Sequence, residues 1–228
     1  MAKTDMQIFT IIKEESKRIP DKNFTNLGGH PLWWHLLSEL HGLDVTVNTD
    51  SQKFVKQLGN SNLKSIQVVQ REQKYIDWEN NESIDSSPVE DMLFDFCETI
   101  NRSEIVVLTH VTSPFLKKET IFDAVNMLKN DHNAKSIHSV LKIQDFVWVK
   151  KDNKASPVNF FTDRVQRTQD VPPILVSKGA FFIAKAGDIL DQRKRLPEPL
   201  IFFPLNHTEG IEIDNFEDLD LAKLLKSK

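Results

Sequence analysis

EIVVLTHVTSPF (residues 104–115) is the stretch that decides the fold. Glu104–Thr109 is a nearly continuous run of apolar, β-branched residues, the pattern of a strand covered on both faces. It runs into a polar turn, Thr112-Ser113-Pro114, after which the period becomes helical, with Ile121, Val125 and Leu128 on one face of Lys117–Lys129. A buried strand, a short polar turn and an amphipathic helix make up the repeating unit of a parallel α/β sheet.

The unit recurs on both sides. Gln7–Ile12 reads as a strand, followed by a polar loop, Lys13–Asn23, and a helix over Pro31–Leu40 with Leu32, Leu36 and Leu40 at four-residue spacing and Gly42 just past its end. Asp44–Asn48 reads as a second strand, Ser51–Leu58 as a short helix stopped by Gly59, and Ser65–Val69 as a third strand. Ser87-Pro88-Val89-Glu90 predicts a helix start, with Ser as N-cap, Pro at the first helical position and a buried stripe of Val89, Leu93, Phe96 and Ile100. Ser136–Ile143 and Ala180–Ala184 read as further strands. This order predicts an open, mainly parallel sheet with helices on both faces. Gln144–Ile174 breaks the rhythm: Phe146, Val147, Trp148 and Val149 precede a turn-like Lys151-Asp152-Asn153-Lys154. It reads as a hairpin-like excursion whose apolar residues suit packing on the body or contact with a second subunit.

The 228 residues fit a single domain spanning 1–228, and 39% hydrophobic with 27% charged residues is ordinary for a folded chain. A net charge of −4 supplies no global basic field, which argues against nucleic acid or an anionic membrane as partner. One cysteine, Cys97, excludes an intrachain disulfide and a cysteine-based zinc site. Met1–Asp5 lacks the apolar core of a leader and no apolar run reaches the length of a membrane span, so a cytoplasmic location is expected.

Ligands of such sheets bind beyond the carboxyl ends of the strands. After the first strand come Lys13, Ser16, Lys17, Arg18, Lys22 and Asn23; after the second, Thr49, Asp50 and Ser51; after the third, Arg71; after the fourth, Thr112, Ser113 and Pro114. Cations at staggered reach are what a polyphosphate needs, although a solvated basic loop has the same composition. Ile211–Asp214 reads as a strand, which places Glu212 and Asp214 on one face. Paired carboxylates suit Mg²⁺, which takes one or two carboxylates plus phosphate oxygens. The other reading is a helix cap by Asp214 or Asn215, with Glu217 and Asp218 complementing the helix dipole.

Ser16-Lys17-Arg18-Ile19-Pro20-Asp21-Lys22-Asn23 resembles the nucleotide-binding signature of the acylneuraminate cytidylyltransferase (CMP-sialic acid synthetase) family. Asn48-Thr49-Asp50-Ser51, Arg71, Thr112-Ser113-Pro114-Phe115-Leu116, Arg167-Thr168-Gln169, Gly179-Ala180-Phe181-Phe182-Ile183 and Glu212-Ile213-Asp214 are similar to its later landmarks, in order along the chain. The resemblance implies a Rossmann-like three-layer sandwich of the nucleotide-diphospho-sugar transferase type, with a dimerisation excursion within 144–174 and a homodimer. It implies transfer of CMP from CTP to the anomeric hydroxyl of an acidic, nonulosonate-like sugar, with Mg²⁺ as cofactor and pyrophosphate as leaving group. Carried over by position, Lys13, Lys17 and Lys22 are the catalytic cations on the phosphates. Ser16, Arg18, Asn23, Asp50, Arg71, Thr112 and Ser113 bind the nucleotide; His110, Arg167, Gln169 and Lys178 face the sugar; Glu212 and Asp214 hold the metal.

The chain departs from the family pattern in places. Lys13, Glu14 and Glu15 stand where the family has arginine and two glycines, and His110, Leu116, Lys178 and Glu212 stand for glutamine, arginine, asparagine and aspartate. Glu14 and Glu15 would repel phosphate, which motivates a second reading: a family member that binds nucleotide or sugar as a regulatory or scaffold module without turnover. Arg193, Lys194 and Arg195 read as a solvated face, and Trp33 and Trp34 as packing of the first helix.

Overall fold

In a computed structural model, residues 6–81 and 86–227 are described; Met1–Asp5, considered above for a leader, lie outside them. The chain runs β1 (Met6–Ile12), β2 (Asn26–Leu27), β3 (His30–Pro31), α1 (Leu32–Glu39), β4 (Val45–Thr49), α2 (Gln52–Gly59), β5 (Gln67–Gln70) and α3 (Gln73–Asn80). It continues through α4 (Val89–Glu98), β6 (Ile105–Thr109), α5 (Lys118–Asn130), β7 (Ser136–Ile143), β8 (Trp148–Lys151), β9 (Lys154–Pro157) and β10 (Ile174–Lys185), then α6 (Ala186–Gln192), β11 (Leu200–Leu205) and α7 (Phe216–Lys226).

Seven strands form one sheet in the order β11-β7-β10-β6-β1-β4-β5, parallel throughout except for β10, which runs antiparallel to both neighbours. The side-chain period of two divides the strands between two cores. Ile8, Ile12, Ile105, Val107, Phe181 and Ile183 pack with α1, α2 and α5 residues such as Leu36, Phe54 and Val125 on one face. Phe9, Ile11, Val106, Leu108 and Phe182 pack with Leu93, Phe94 and Cys97 of α4 and Ile189 of α6 on the other. Strand β6, at the centre, is buried along its whole length, as residues 104–109 predict.

Several expectations need correction. Helix α4 begins at Val89 with Pro88, not Ser87, at the N-cap and without a side-chain cap, although Glu90 and Asp91 do occupy its first turn. Its fully buried residues are Met92, Leu93, Phe94 and Cys97, with Val89, Phe96 and Ile100 only partly covered. Ile211–Asp214 belongs to no strand. It is an irregular segment tied down by Ile213 N–H donating to Thr112 O at 2.8 Å. Asn215 then caps α7 in a reciprocal capping box with Asp218, as the alternative reading of this segment has it. Helix α3 and strand β11 were not foreseen, and β10 is longer than Ala180–Ala184. The excursion is a hairpin, β8 paired with β9, turning at Asp152 and Asn153 with positive φ.

A third, small apolar cluster positions the site. Ile19, from the basic loop, packs with Ile213 and with Leu219 and Ala222 of α7. Burying Ile19 and Ile213 together is what brings an N-terminal loop against a segment nearly two hundred residues away, since apolar area removed from water is the main attraction available to a polar loop.

Candidate active site

The loop after β1 lines a cavity of about 660 Å³ at the carboxyl edge of the sheet. Lys13, Glu14, Glu15, Ser16, Lys17, Arg18, Lys22 and Asn23 contribute from the loop, Asp50 from the end of β4, and His110, Val111 and Thr112 from the end of β6. Ile76, Glu79 and Asn80 of α3 and Val89 of α4 complete the wall. Asn23 is buried and its side-chain N–H₂ donates to Lys13 O at 3.0 Å, which closes the loop on itself.

Two groups of ion pairs tie down the basic loop. In one, Lys22 Nζ donates to Ile213 O at 2.9 Å and lies 3.3 Å from Asp214 Oδ1, which Arg18 also reaches at 2.6 Å. In the other, Lys13 Nζ lies 2.7 Å from Glu79 Oε1. Lys17 is exposed.

Glu14 lines the cavity and is tied to the end of β4 and the start of α2. Its N–H donates to Asp50 Oδ1 at 3.0 Å and its carboxylate accepts from the Ser51 hydroxyl, which in turn caps α2 through Phe54 N–H. The Glu14 amide is thereby occupied by Asp50 rather than presented to a ligand, and Glu15 is exposed.

Arg71 stands behind the wall rather than in it. Its side chain is 0% exposed, donating to Glu79 Oε2 at 2.9 Å, Asn48 Oδ1 at 3.2 Å and Ile12 O at 3.4 Å. A buried guanidinium with this many acceptors organises the ends of β1, β4 and α3.

His110 joins the two sides of the sheet edge. Residues Ser177 to Phe182 bulge out of register between β10 and β7, which frees Gly179 N–H to donate to Glu212 Oε2 at 3.2 Å. A Cβ on Gly179 would overlap the Glu212 carboxylate and stand 3.3 Å from His110 Cδ2, so Glu212, Gly179 and His110 are in close contact. Burial foremost, then the Arg195 cation, lowers the His110 pKa to about 4, only partly offset by Asp214; the ring is neutral near pH 7. Arg195 is placed by its guanidinium stacking on Phe182, 4.4 Å from the ring centroid, while Phe182 also stacks on His138 at 4.4 Å. Arg193 and Lys194 are exposed, as expected of a solvated face, although the Arg193 guanidinium lies over Phe94; Arg195 is partly covered and lies 3.5 Å from Glu90.

Among the expected residues, Lys13, Ser16, Lys17, Arg18, Lys22, Asn23, Asp50, His110 and Thr112 converge on the cavity. Asp214 and Glu212 adjoin it through Lys22 and His110, and Lys178 neighbours Gly179 in the bulge. Ser113 is buried beside the cavity, its hydroxyl without a partner among the described residues. Arg167 and Gln169 are not brought there: both are exposed on the excursion, where Arg167 pairs with Asp170 at 2.7 Å. Sequence reasoning missed Glu79 and Arg195, whose roles depend on contacts distant along the chain. Among the described residues, no three His, Cys, Asp or Glu side chains form a ready-made metal cage.

The family model described as "Cytidylyltransferase" matches residues 14–197. The N-acylneuraminate cytidylyltransferase of Streptococcus agalactiae serotype III is 24% identical over 212 residues, covering 89% of this chain and 49% of that protein, so the chain spans about half the length of this curated relative. The CMP-N,N'-diacetyllegionaminic acid synthase of Legionella pneumophila is 30% identical, with 96% of each chain covered. Among solved structures, a CMP:2-keto-3-deoxy-manno-octonic acid synthetase complexed with CTP shares the fold with a TM-score of 0.66 at 14% identity, covering 97% of this chain and 98% of that one. A 4-diphosphocytidyl-2C-methyl-D-erythritol synthase does so with a TM-score of 0.65 at 11% identity, covering 98% and 99%. The match over most of its length, on a sheet whose polar edge carries the family's landmarks, shows that this chain belongs to the cytidylyltransferase family.

Proposed function

We propose that the chain transfers CMP from CTP to the anomeric hydroxyl of an acidic, nonulosonate-like sugar, releasing pyrophosphate, with Mg²⁺ as cofactor. The observation that carries this reading is a cavity lined by a basic loop that pairs with Glu79 through Lys13 and with Asp214 through Lys22. Ser16, Lys17 and Lys22 offer donors along the length a triphosphate would occupy. His110, neutral and beside Arg195, can hydrogen-bond a sugar hydroxyl. Transfer of this kind asks the protein mainly for in-line positioning and neutralisation of charge. The Glu14 carboxylate is engaged by the Ser51 hydroxyl rather than left without a donor beside the phosphates.

The donor set fits the metal. Cavity-lining cations Lys13, Lys17, Arg18 and Lys22 are matched one for one by Glu14, Glu15, Asp50 and Glu79, so a triphosphate would enter a site with no surplus positive charge. Asp214 and Glu212, both adjacent to His110, are the carboxylates that would hold Mg²⁺, in the one-or-two-carboxylate manner that leaves phosphate to complete its shell. When bound, the ion would offset phosphate charge and acidify a coordinated hydroxyl.

A homodimer is part of the proposal. Phe146, Trp148, Val149, Val158 and Phe161 leave an exposed apolar patch on the excursion, and Arg167 with Gln169 would face a sugar only where a second copy brings them to its cavity. The test of the activity is pyrophosphate release with CTP, Mg²⁺ and a panel of nonulosonic and octulosonic acids. Turnover on at least one acid, absent with EDTA, is expected; CTP binding without turnover on any sugar would overturn the reading.

A further inference from the structure

Glu79 lines the cavity together with the apolar side chains of Ile76 and Val89. Helix α3 presents Ile76, Glu79 and Asn80 on one face at three- and four-residue spacing, and Val89 adds a second apolar wall. The helix is held against α4 by Tyr75, whose hydroxyl donates to Asp95, and by Lys74, 3.2 Å from the same carboxylate. The Glu79 carboxylate is fixed from behind: Arg71, wholly buried, donates to Oε2 at 2.9 Å. Oε1 has the Lys13 ammonium at 2.7 Å and, among the described residues, no other hydrogen-bond partner.

We propose that Glu79 reads the nucleobase, its Oε1 accepting a hydrogen bond from the exocyclic amino group of cytosine and so selecting CTP over UTP. The inference rests on the nucleotide reading given above and assigns the residue that makes the choice. A carboxylate carries only lone pairs, so it accepts from the amino N–H of cytosine and repels the carbonyl oxygen that uracil presents at the same position. The Asn80 amide beside it can pair with either base by rotating through half a turn and cannot discriminate alone. Ile76 and Val89 suit the faces of a planar ring. Lys13 couples the two ends of the ligand: once its ammonium turns to phosphate, Oε1 is released for the base. The buried Arg71 keeps the Glu79 carboxylate aimed after Lys13 leaves.

The test is equilibrium binding of CTP, UTP and the 2-pyrimidinone nucleoside triphosphate, which lacks the amino group, to the full chain without sugar. The unmodified protein is expected to bind CTP at least ten-fold more tightly than either analogue, and Glu79→Gln, whose amide can donate to a carbonyl, to shrink the CTP-to-UTP ratio at least ten-fold. A merely structural Glu79 would weaken all three ligands together and leave the ratio unchanged, which overturns the inference. So does equal binding of CTP and the 2-pyrimidinone analogue by the unmodified chain, a measurement that needs no variant to fold. CTP-selective binding without turnover would sink the proposed activity while leaving Glu79 as the reader.

Discussion

Lys22 and Asp214 meet across almost the whole chain, with the ammonium 3.3 Å from Oδ1 and hydrogen-bonded to the preceding carbonyl of Ile213. The contact is mostly shielded on the lysine side, at 12% exposure, while Asp214 remains 35% exposed. It follows from the packing of Ile19 on Ile213, so the charged pair is positioned by apolar burial rather than by its own attraction.

Asp214→Asn should therefore cost activity far more than stability. Removing one preorganised charge at a phosphoryl-transfer site lowers turnover by about 100-fold or more. The ion pairs lost to Arg18 and Lys22 are partly exposed and are worth about 1 kcal/mol or less. Pyrophosphate release and thermal melting on the same preparation check both; a large drop in Tm with unchanged turnover would contradict the assignment.

Gly179→Ala places a methyl group into the Glu212 carboxylate and against His110. The backbone must shift or Glu212 must leave, at a cost of about 1–3 kcal/mol. Loss of Mg²⁺-supported turnover, with CTP binding in the absence of metal retained, is the expected result by titration calorimetry and pyrophosphate assay.

The His110 ring gives a pH signature. Its folded pKa of about 4 lies below the ordinary 6.5, so between those values the unfolded chain binds the extra proton. Stability from this group is complete above about pH 6.5 and is lost as pH falls toward 4. The Tm of the unmodified chain should fall over that window, and His110→Gln should flatten part of the slope. His35 and His138, also lowered first of all by burial, keep the remainder.

Arg195→Ala removes the guanidinium stacked on Phe182 beside His110. For an anionic sugar bound there the expected change is a KM raised about ten-fold, with the KM for CTP unaltered, consistent with loss of one charge-assisted contact of about 1.5 kcal/mol. Steady-state kinetics varying each substrate in turn separates the two.

Trp148 and Phe161 are more than half exposed on the excursion. If that patch joins two copies, light scattering should give a dimer for the unmodified chain and a shift to monomer for Trp148→Glu with Phe161→Glu. A monomeric unmodified chain would refute the assembly.

Much of the fold was legible because residues 104–109, 7–12 and 136–143 carry burial patterns set by the sheet itself. Strand β11 was not, because Leu200–Leu205 is an edge strand ending at Pro204-Leu205 with only Leu205 fully buried. Helix α3 buries a single residue, Tyr75, so it shows no apolar stripe. The alternation Ile211-Glu212-Ile213-Asp214 imitates a strand, yet Ile213 finds its partners in Ile19 and α7 rather than in a ladder. For the site, the basic loop and its carboxylate partner could be read from motif order. Glu79 could not, because its pairing with Lys13 and Arg71 depends on how α3 lies against the sheet.

Strand β10 carries a consequence for how two copies would communicate. It starts at Ile174, where the excursion rejoins the sheet, and runs without a break in the chain through the bulge at Gly179 to Lys185 in the central layer. Tension or twist applied to the hairpin by a neighbouring molecule would travel along this one span to the contact of Gly179 with Glu212. In a dimer joined through the hairpin, the subunit contact and the Glu212 contact would sit on one and the same strand.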